Sequence, residues 1–319
     1  MNEFLNKHLR PTRKLTDQFI LTGIIGFALV IIGQLLGALV SRFMRMFIEL
    51  ITEFNASHEF LLQYFSFIGI WIVILLVMVG FKSNRTMLQT LKPHKNRNNF
   101  KSILLGLLFG FLLNGFCVFM SWLRKDIQLG FLGVDLPLLF FFLVSVFIQS
   151  GAEELTSRSY LYQKLRRRYR NPWLAILFSS SYFVAFHAFN PGVTFLGFAQ
   201  IFLVALLYAV IIYYYDNLLL CMGMHAGWNY TQSILFGLPN SGIVSDYSLF
   251  YLQGASGRNG LFYDPAFGIE GSLGGVILHI IVIAALIYYN RKKKEHTDYW
   301  LPLEEELQTK QQETQSAQS

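Results

Sequence analysis

Residues 136–150, LPLLFFFLVSVFIQS, run straight into residues 151–170, GAEELTSRSYLYQKLRRRYR. The first part reads as a membrane helix, and the second puts two adjacent carboxylates, Glu153 and Glu154, at the end of it. Ionisable groups inside a membrane helix cost about 2.5–3.5 kcal/mol each on insertion scales, so each needs a reason. The fold of the chain and the purpose of these two acids are therefore one question.

The composition agrees with a membrane setting. Of 319 residues, 54% are hydrophobic and 14% charged, and the mean hydropathy is +0.43. A soluble domain carries roughly 25% charged residues. Repeated apolar runs of about 18 residues or more predict an all-α polytopic membrane protein. About eight transmembrane helices are expected, near 18–40, 60–81, 102–123, 136–161, 173–190, 195–215, 217–237 and 271–290. The 31 Phe and 16 Tyr suit lipid-facing and interfacial positions. Cys117 and Cys221 both fall inside apolar runs, so no disulfide framework is implied. The first run is too long for a signal-peptide core and lacks a small-residue cleavage site, which makes it a retained span.

Lys and Arg in the connections set the orientation. The N-terminal tail holds four (Lys7, Arg10, Arg13, Lys14), the 82–101 connection six, the 164–170 connection five and the C-terminal tail five, twenty on one side. The other connections hold only Arg42, Arg45, Arg124, Lys125 and Arg258. Both termini are thus expected in the cytoplasm. The net charge of +7 is then topology and anionic-lipid contact, with no reason to invoke nucleic acid. Residues 1–17 form a cytoplasmic tail, 18–290 an integral membrane domain with its functional core at about 136–290, and 291–319 a disordered polar tail. The Gly-, Ser- and Asn-rich 238–270 connection is expected outside.

Helix geometry sorts the intramembrane polar residues. Neighbours on a helix point about 100° apart, so Glu153 and Glu154 cannot share a partner. Glu154 and Arg158 stand four apart with the acid first, the favourable order for an ion pair. Glu153 is left without a cation on its own helix. His225 and Asn229, also four apart, share a face, and His187 adds an imidazole from another helix. Together Glu153, His187, His225 and Asn229 can position and deprotonate a water and meet a developing oxyanion, or hold a divalent ion with one position open for water. Counted from the basic ends, Glu153 and His225 lie roughly 12–17 Å deep and His187 roughly 21 Å, so span 5 must tilt or begin outside the hydrocarbon. His279, alone in its span, reads as a helix-to-helix hydrogen bonder.

Three motifs in these spans resemble a known family. EELTSR (Glu153 to Arg158) matches EExxxR, FVAFH (Phe183 to His187) matches FxxxH, and HAGWN (His225 to Asn229) matches HxxxN. In this order they look like the CPBP intramembrane proteases, which include CAAX prenyl endopeptidases and the bacterial proteins once called Abi. FGIEGSL, residues 267–273, resembles a further segment of bacterial members. The resemblance implies an intramembrane endopeptidase in a bacterial plasma membrane, in which Glu153 activates water and Glu154 pairs with Arg158. His187, His225 and Asn229 would orient the water and stabilise the oxyanion, and Phe183 would pack one turn below His187. A divalent metal such as zinc on Glu153, His187 and His225, or no metal, are both compatible with it. The implied partner is a peptide or protein substrate arriving from the membrane or the cytoplasm. A non-catalytic scaffold or bacteriocin self-immunity protein is a second reading. A proton-coupled transporter is a third, and the lack of a repeat between the chain halves argues against it.

Overall fold

The computed structural model describes residues 8–253, 257, 259–293 and 296–316. Lys7, Arg258 and Lys294 of the counted cations, like residues 1–7 and 317–319 of the two tails, lie outside the described residues. Among the described residues the fold is all-α apart from one antiparallel pair, β1 (Leu129–Phe131) with β2 (Phe250–Leu252). The helices are α1 (Phe19–Ile51), α2 (Ala56–Phe65), α3 (Ile68–Gly80), α4 (Phe100–Leu123), α5 (Leu136–Glu154), α6 (Tyr162–Arg168), α7 (Pro172–Phe186), α8 (Phe195–Tyr215), α9 (Leu218–Asn229), α10 (Leu273–Asn290) and α11 (Leu301–Ser316).

Six of the described helical segments are long and apolar enough to cross a membrane: Phe19–Ile51, Ala56–Gly80, Phe100–Leu123, Leu136–Arg168, Phe195–Tyr215 and Leu273–Asn290. The two further spans expected over 173–190 and 217–237 are shorter helices. The first, α7, has 15 residues, about 22 Å, less than a hydrocarbon core of about 30 Å. The helix ends at Phe186, and His187 is its cap, with φ −99° and ψ 4°, well inside the fold. The second, α9, is enclosed by its neighbours, with ten of its twelve residues buried.

Glycine lets α9 sit so deep. Gly106 and Gly110 of α4 face Gly223 and Gly227 of α9, backbone against backbone. A Cβ on Gly106 would lie 2.5 Å from the Leu220 carbonyl oxygen, and one on Gly223 would lie 2.5 Å from that of Ile103; Gly110 and Gly227 approach more closely still. Small residues spaced four apart allow this in lipid, where packing rather than hydrophobicity draws helices together.

Two π-helical turns interrupt the helices that carry the motifs, Leu155–Leu161 directly after Glu154 and Tyr230–Leu235 directly after Asn229. The same local chemistry marks both. Thr156 donates its hydroxyl to the Ala152 carbonyl at 2.8 Å, and Thr231 donates to Gly227 at 2.6 Å. A hydroxyl on the carbonyl four residues back competes with the backbone ladder and loosens it there. π turns of this kind are frequent at functional sites.

The four basic segments meet at one end of the bundle. Buried Asp17 accepts from Arg167 at 2.6 and 2.7 Å and pairs with Lys164 at 3.4 Å. Arg97 pairs with Asp216 at 2.7 Å. The tail expected to be disordered is folded onto this end. Asp298 pairs with Arg10 and with Arg166, Glu304 pairs with Arg10 and Arg170, and the buried Trp300 indole donates to Gln163 at 3.1 Å. Its polar composition hid the reason: Trp300 supplies the anchor, and Asp298 and Glu304 serve as counter-ions for a cationic surface. At the opposite end lie the β1–β2 pair, the 187–194 loop and the 238–271 connection, tied together where Asn190 donates to the Ser241 carbonyl at 3.2 Å.

Gly110→Ala is expected to cost about 1–3 kcal/mol through overpacking against α9, read as a lower Tm in detergent. Gly115→Ala, where a Cβ meets nothing within 4 Å, leaves Tm unchanged or slightly higher.

Candidate active site

The two adjacent carboxylates diverge as helix geometry requires. Glu154 is fully buried and pairs with Arg158, Oε2 to Nε at 3.1 Å. It has a second partner that its spacing did not disclose: the Nδ1 of His225 donates to its Oε1 at 3.0 Å. Arg158 in turn donates to the Ala205 carbonyl at 2.9 Å, and its guanidinium lies over the rings of Phe183, at 4.8 Å, and Tyr208, at 5.6 Å. One carboxylate thus holds α9 against α5 and the first π turn.

Glu153 turns into a cavity. Its Oε1 accepts from Gln149, one turn earlier on α5, at 2.6 Å. Its Oε2 is buried, has no hydrogen-bond partner among the described residues, and faces both imidazoles, 3.7 Å from Nε2 of His225 and 4.0 Å from Nε2 of His187. The other nitrogen of each ring is committed. His225 Nδ1 meets the Glu154 carboxylate, and His187 Nδ1 meets the Phe183 carbonyl at 2.7 Å. Carboxylate and carbonyl oxygens only accept, so each Nδ1 carries a proton, and in the neutral ring the Nε2 lone pair is the one turned towards Glu153. Phe183 packs on His187 with ring centroids 4.7 Å apart and edge-on to His225 at 5.9 Å.

Asn229 stands in this cluster but is occupied. Its Nδ2 donates to Gln149 Oε1 at 3.1 Å and lies 3.4 Å from Ser150 Oγ, while its Oδ1 accepts from Asn240 at 3.1 Å. A continuous relay therefore runs from Asn240 through Asn229 and Gln149 to Glu153. Gln149 and Asn240 were missed in the sequence: Gln149 is uncharged within an apolar run, and Asn240 belongs to a connection. The signal for Gln149 was its place four residues before Glu153. Glu270 lies on the same cavity and accepts from the Trp228 indole at 3.2 Å and from the Ser241 backbone and hydroxyl at 2.5 and 2.9 Å. Burial pushes its carboxyl above the usual range, and these three donors pull it back.

The cavity holds about 570 Å³. Among the described residues its ionisable lining is Glu153, Glu270, His187 and His225, with Tyr64 to one side and no Asp, Lys or Arg. Two imidazoles and a carboxylate are a familiar zinc set, but their spacing is wide. Two ligands at about 2.0–2.1 Å from a tetrahedral ion lie roughly 3.3 Å apart, against 3.7 and 4.0 Å here. No group of three His, Cys, Asp or Glu among the described residues closes on a single point in a way that would hold an ion. As placed, these residues do not fit a metal, and no chemistry below is routed through one.

Residues 135–231 match the family described as type II CAAX prenyl endopeptidase Rce1-like. The segment is similar to Rce1-like domains. The match bears out the resemblance to CPBP proteases carried by the three motifs, and with it the general character of a membrane-embedded CAAX-type protease. The Rce1-like segment contains Glu153, His187, His225 and Asn229, while Asn240 and Glu270 lie beyond it. No curated protein and no solved structure matches the chain.

The adjacent acids should respond oppositely to the same change. Glu154→Gln leaves Arg158 buried without its anion and costs about 3–5 kcal/mol, a large fall in Tm. Glu153→Gln keeps its hydrogen bonding and leaves Tm unchanged.

Proposed function

We propose that the Rce1-like domain hydrolyses a peptide bond with Glu153 as the proton shuttle, in a membrane whose cytoplasmic side carries the basic end. The observation that supports this most is the convergence of three acceptors, Glu153 Oε2 and the two Nε2 atoms, on one space. Acceptors that face each other repel unless a donor lies between them. A water molecule supplies two hydrogens, and the gaps of 3.7 and 4.0 Å leave Glu153 and the imidazoles free to take them.

The Glu153 carboxylate takes one proton from this water as its oxygen attacks the carbonyl carbon of the substrate. The proton then passes to the leaving amine as the C–N bond breaks, and no covalent enzyme intermediate forms. The water's other hydrogen goes to the Nε2 lone pair of His187 or of His225, which orients it. Glu154 and the Phe183 carbonyl hold the rings in the tautomer this needs, as partners behind a working imidazole do elsewhere. Asn229, expected to meet the oxyanion, acts instead as a positioning residue, because its amide is spent on Gln149 and through it on the angle of Glu153.

Cleavage of a peptide library by the detergent-purified protein tests this reading. Glu153→Gln is expected to lower kcat by about 10²–10⁴-fold, the usual contribution of general acid–base catalysis, with a chelator leaving the wild type unaffected. Activity lost to chelator and restored by a divalent ion overturns the metal-free mechanism. Full activity in Glu153→Gln overturns the role of Glu153, and a cellular phenotype that survives this change favours the scaffold reading. Gln149→Leu is expected to reduce kcat by about tenfold or more with KM little changed, since it removes only the orientation of the base.

A further inference from the structure

Towards the two ends of the bundle, the described lining of the cavity reaches one end only. Above Glu153 it is lined by Phe189 and Asn190 of the 187–194 loop and by Asn240, Ser241 and Ile243 of the 238–271 connection. These segments form the end of the bundle opposite the basic one. Among the described residues, none from the 82–101, 164–170 or 291–300 segments lines it. Between the site and the basic end the interior is filled: Leu161, Leu165, Cys221 and Met222 are completely buried, and Tyr162 and Tyr208 nearly so. Below that layer, the fully buried Asp17 and its two cationic partners close the end itself.

The cavity also has a window towards lipid, in the same half. Helix α1 touches α7 where Phe27 meets Phe186, with ring centroids 4.3 Å apart. Helix α7 stops at Phe186, so it does not continue along α1 beyond this contact. Ile31 and Gln34 of α1 then line the cavity directly, with Ile31 57% exposed and Phe189 96% exposed at the rim. The short helix that placed His187 in the interior thus also leaves the gap beside it.

The four basic segments carry twenty of the 25 lysines and arginines of the connections, and such ends stay in the cytoplasm. We infer that substrate peptides reach Glu153 from the non-cytoplasmic side, from the outer aqueous phase or the outer half of the bilayer, and not from the cytoplasm. The proteolytic reading of the site is assumed in the word substrate, but the direction of opening does not depend on it. The segment cleaved is one exposed outside the cell or held in the outer half of the bilayer: an exported peptide or the outer flank of another membrane protein. A cytoplasmic C-terminal tail would meet the packed layer of Leu161, Leu165 and Met222.

Single cysteines read this directly, because Cys117 and Cys221 are completely buried and the wild-type chain serves as the blank. Phe189→Cys and Ile243→Cys at the cavity rim, and Lys95→Cys in the basic 82–101 segment, are exposed to a charged, membrane-impermeant methanethiosulfonate. Labelling is compared between right-side-out spheroplasts and inverted vesicles holding the full chain. The rim cysteines are expected to react at least about tenfold faster in spheroplasts, and Lys95→Cys at least about tenfold faster in inverted vesicles. Rim cysteines that react equally on both sides, or faster in inverted vesicles, overturn the inference; two rim positions guard against one variant failing to fold. Labelling requires no catalysis. A protein that cleaves no peptide but labels as expected therefore loses the protease reading and keeps its outward opening, and a protease whose rim labels from the cytoplasm does the reverse.

Discussion

The candidate site depends on one buried carboxylate that does not line the cavity. Glu154 is shared between Arg158 on its own helix and His225 on another, so it neutralises a guanidinium and fixes an imidazole at once. Burying such a pair has a desolvation cost that the Coulombic attraction alone does not always offset. Here the guanidinium is also covered by Phe183 and Tyr208 and bonded to the Ala205 carbonyl, so α5, α7, α8 and α9 all converge on it. Take Glu154 away and the protonation of His225, the position of Phe183 and hence the carbonyl that holds His187 all lose their reference. Glu153 is free to face the cavity because its neighbour holds the guanidinium and the imidazole.

The backbone makes that convergence sterically possible. The glycine seam between α4 and α9 lets the helix carrying His225 and Asn229 lie deep enough to reach Glu153. The first π turn falls inside EELTSR and carries Arg158, and the second follows Asn229 directly; each widens its helix and shifts the residues after it around the axis. Close approach and a local change of pitch are two routes to the same end, bringing side chains from separate helices within hydrogen-bond range in a medium that offers no water to fill gaps.

Much of this was present in the sequence, and what was not has physical causes. Residues four apart on a helix face declare themselves, which is why Glu154 with Arg158 and His225 with Asn229 stood out and why the cluster around Glu153 is where the motifs put it. Long apolar runs predicted the membrane fold. Spacing does not, however, reveal how long a helix lasts: the apolar stretch around 173–190 ends as α7 at Phe186, which leaves His187 as its cap. Nor does it reveal partners across helices. The bond from His225 to Glu154, the relay through Gln149 and Asn240 and the three donors around Glu270 are long-range, and uncharged or loop residues gave no warning of them. The C-terminal tail was misjudged because composition registers polarity and not complementarity; Asp298 and Glu304 fold it by matching Arg10, Arg166 and Arg170.

That tail has a bearing on how the protein is made. Arg10 is translated 288 residues before Asp298, yet it is joined to Asp298 and Glu304 in the folded chain. Until those acids emerge, Arg10 has neither of these partners. Compaction of that end around Trp300 therefore waits for Asp298 and Glu304, long after the helices between them have been made.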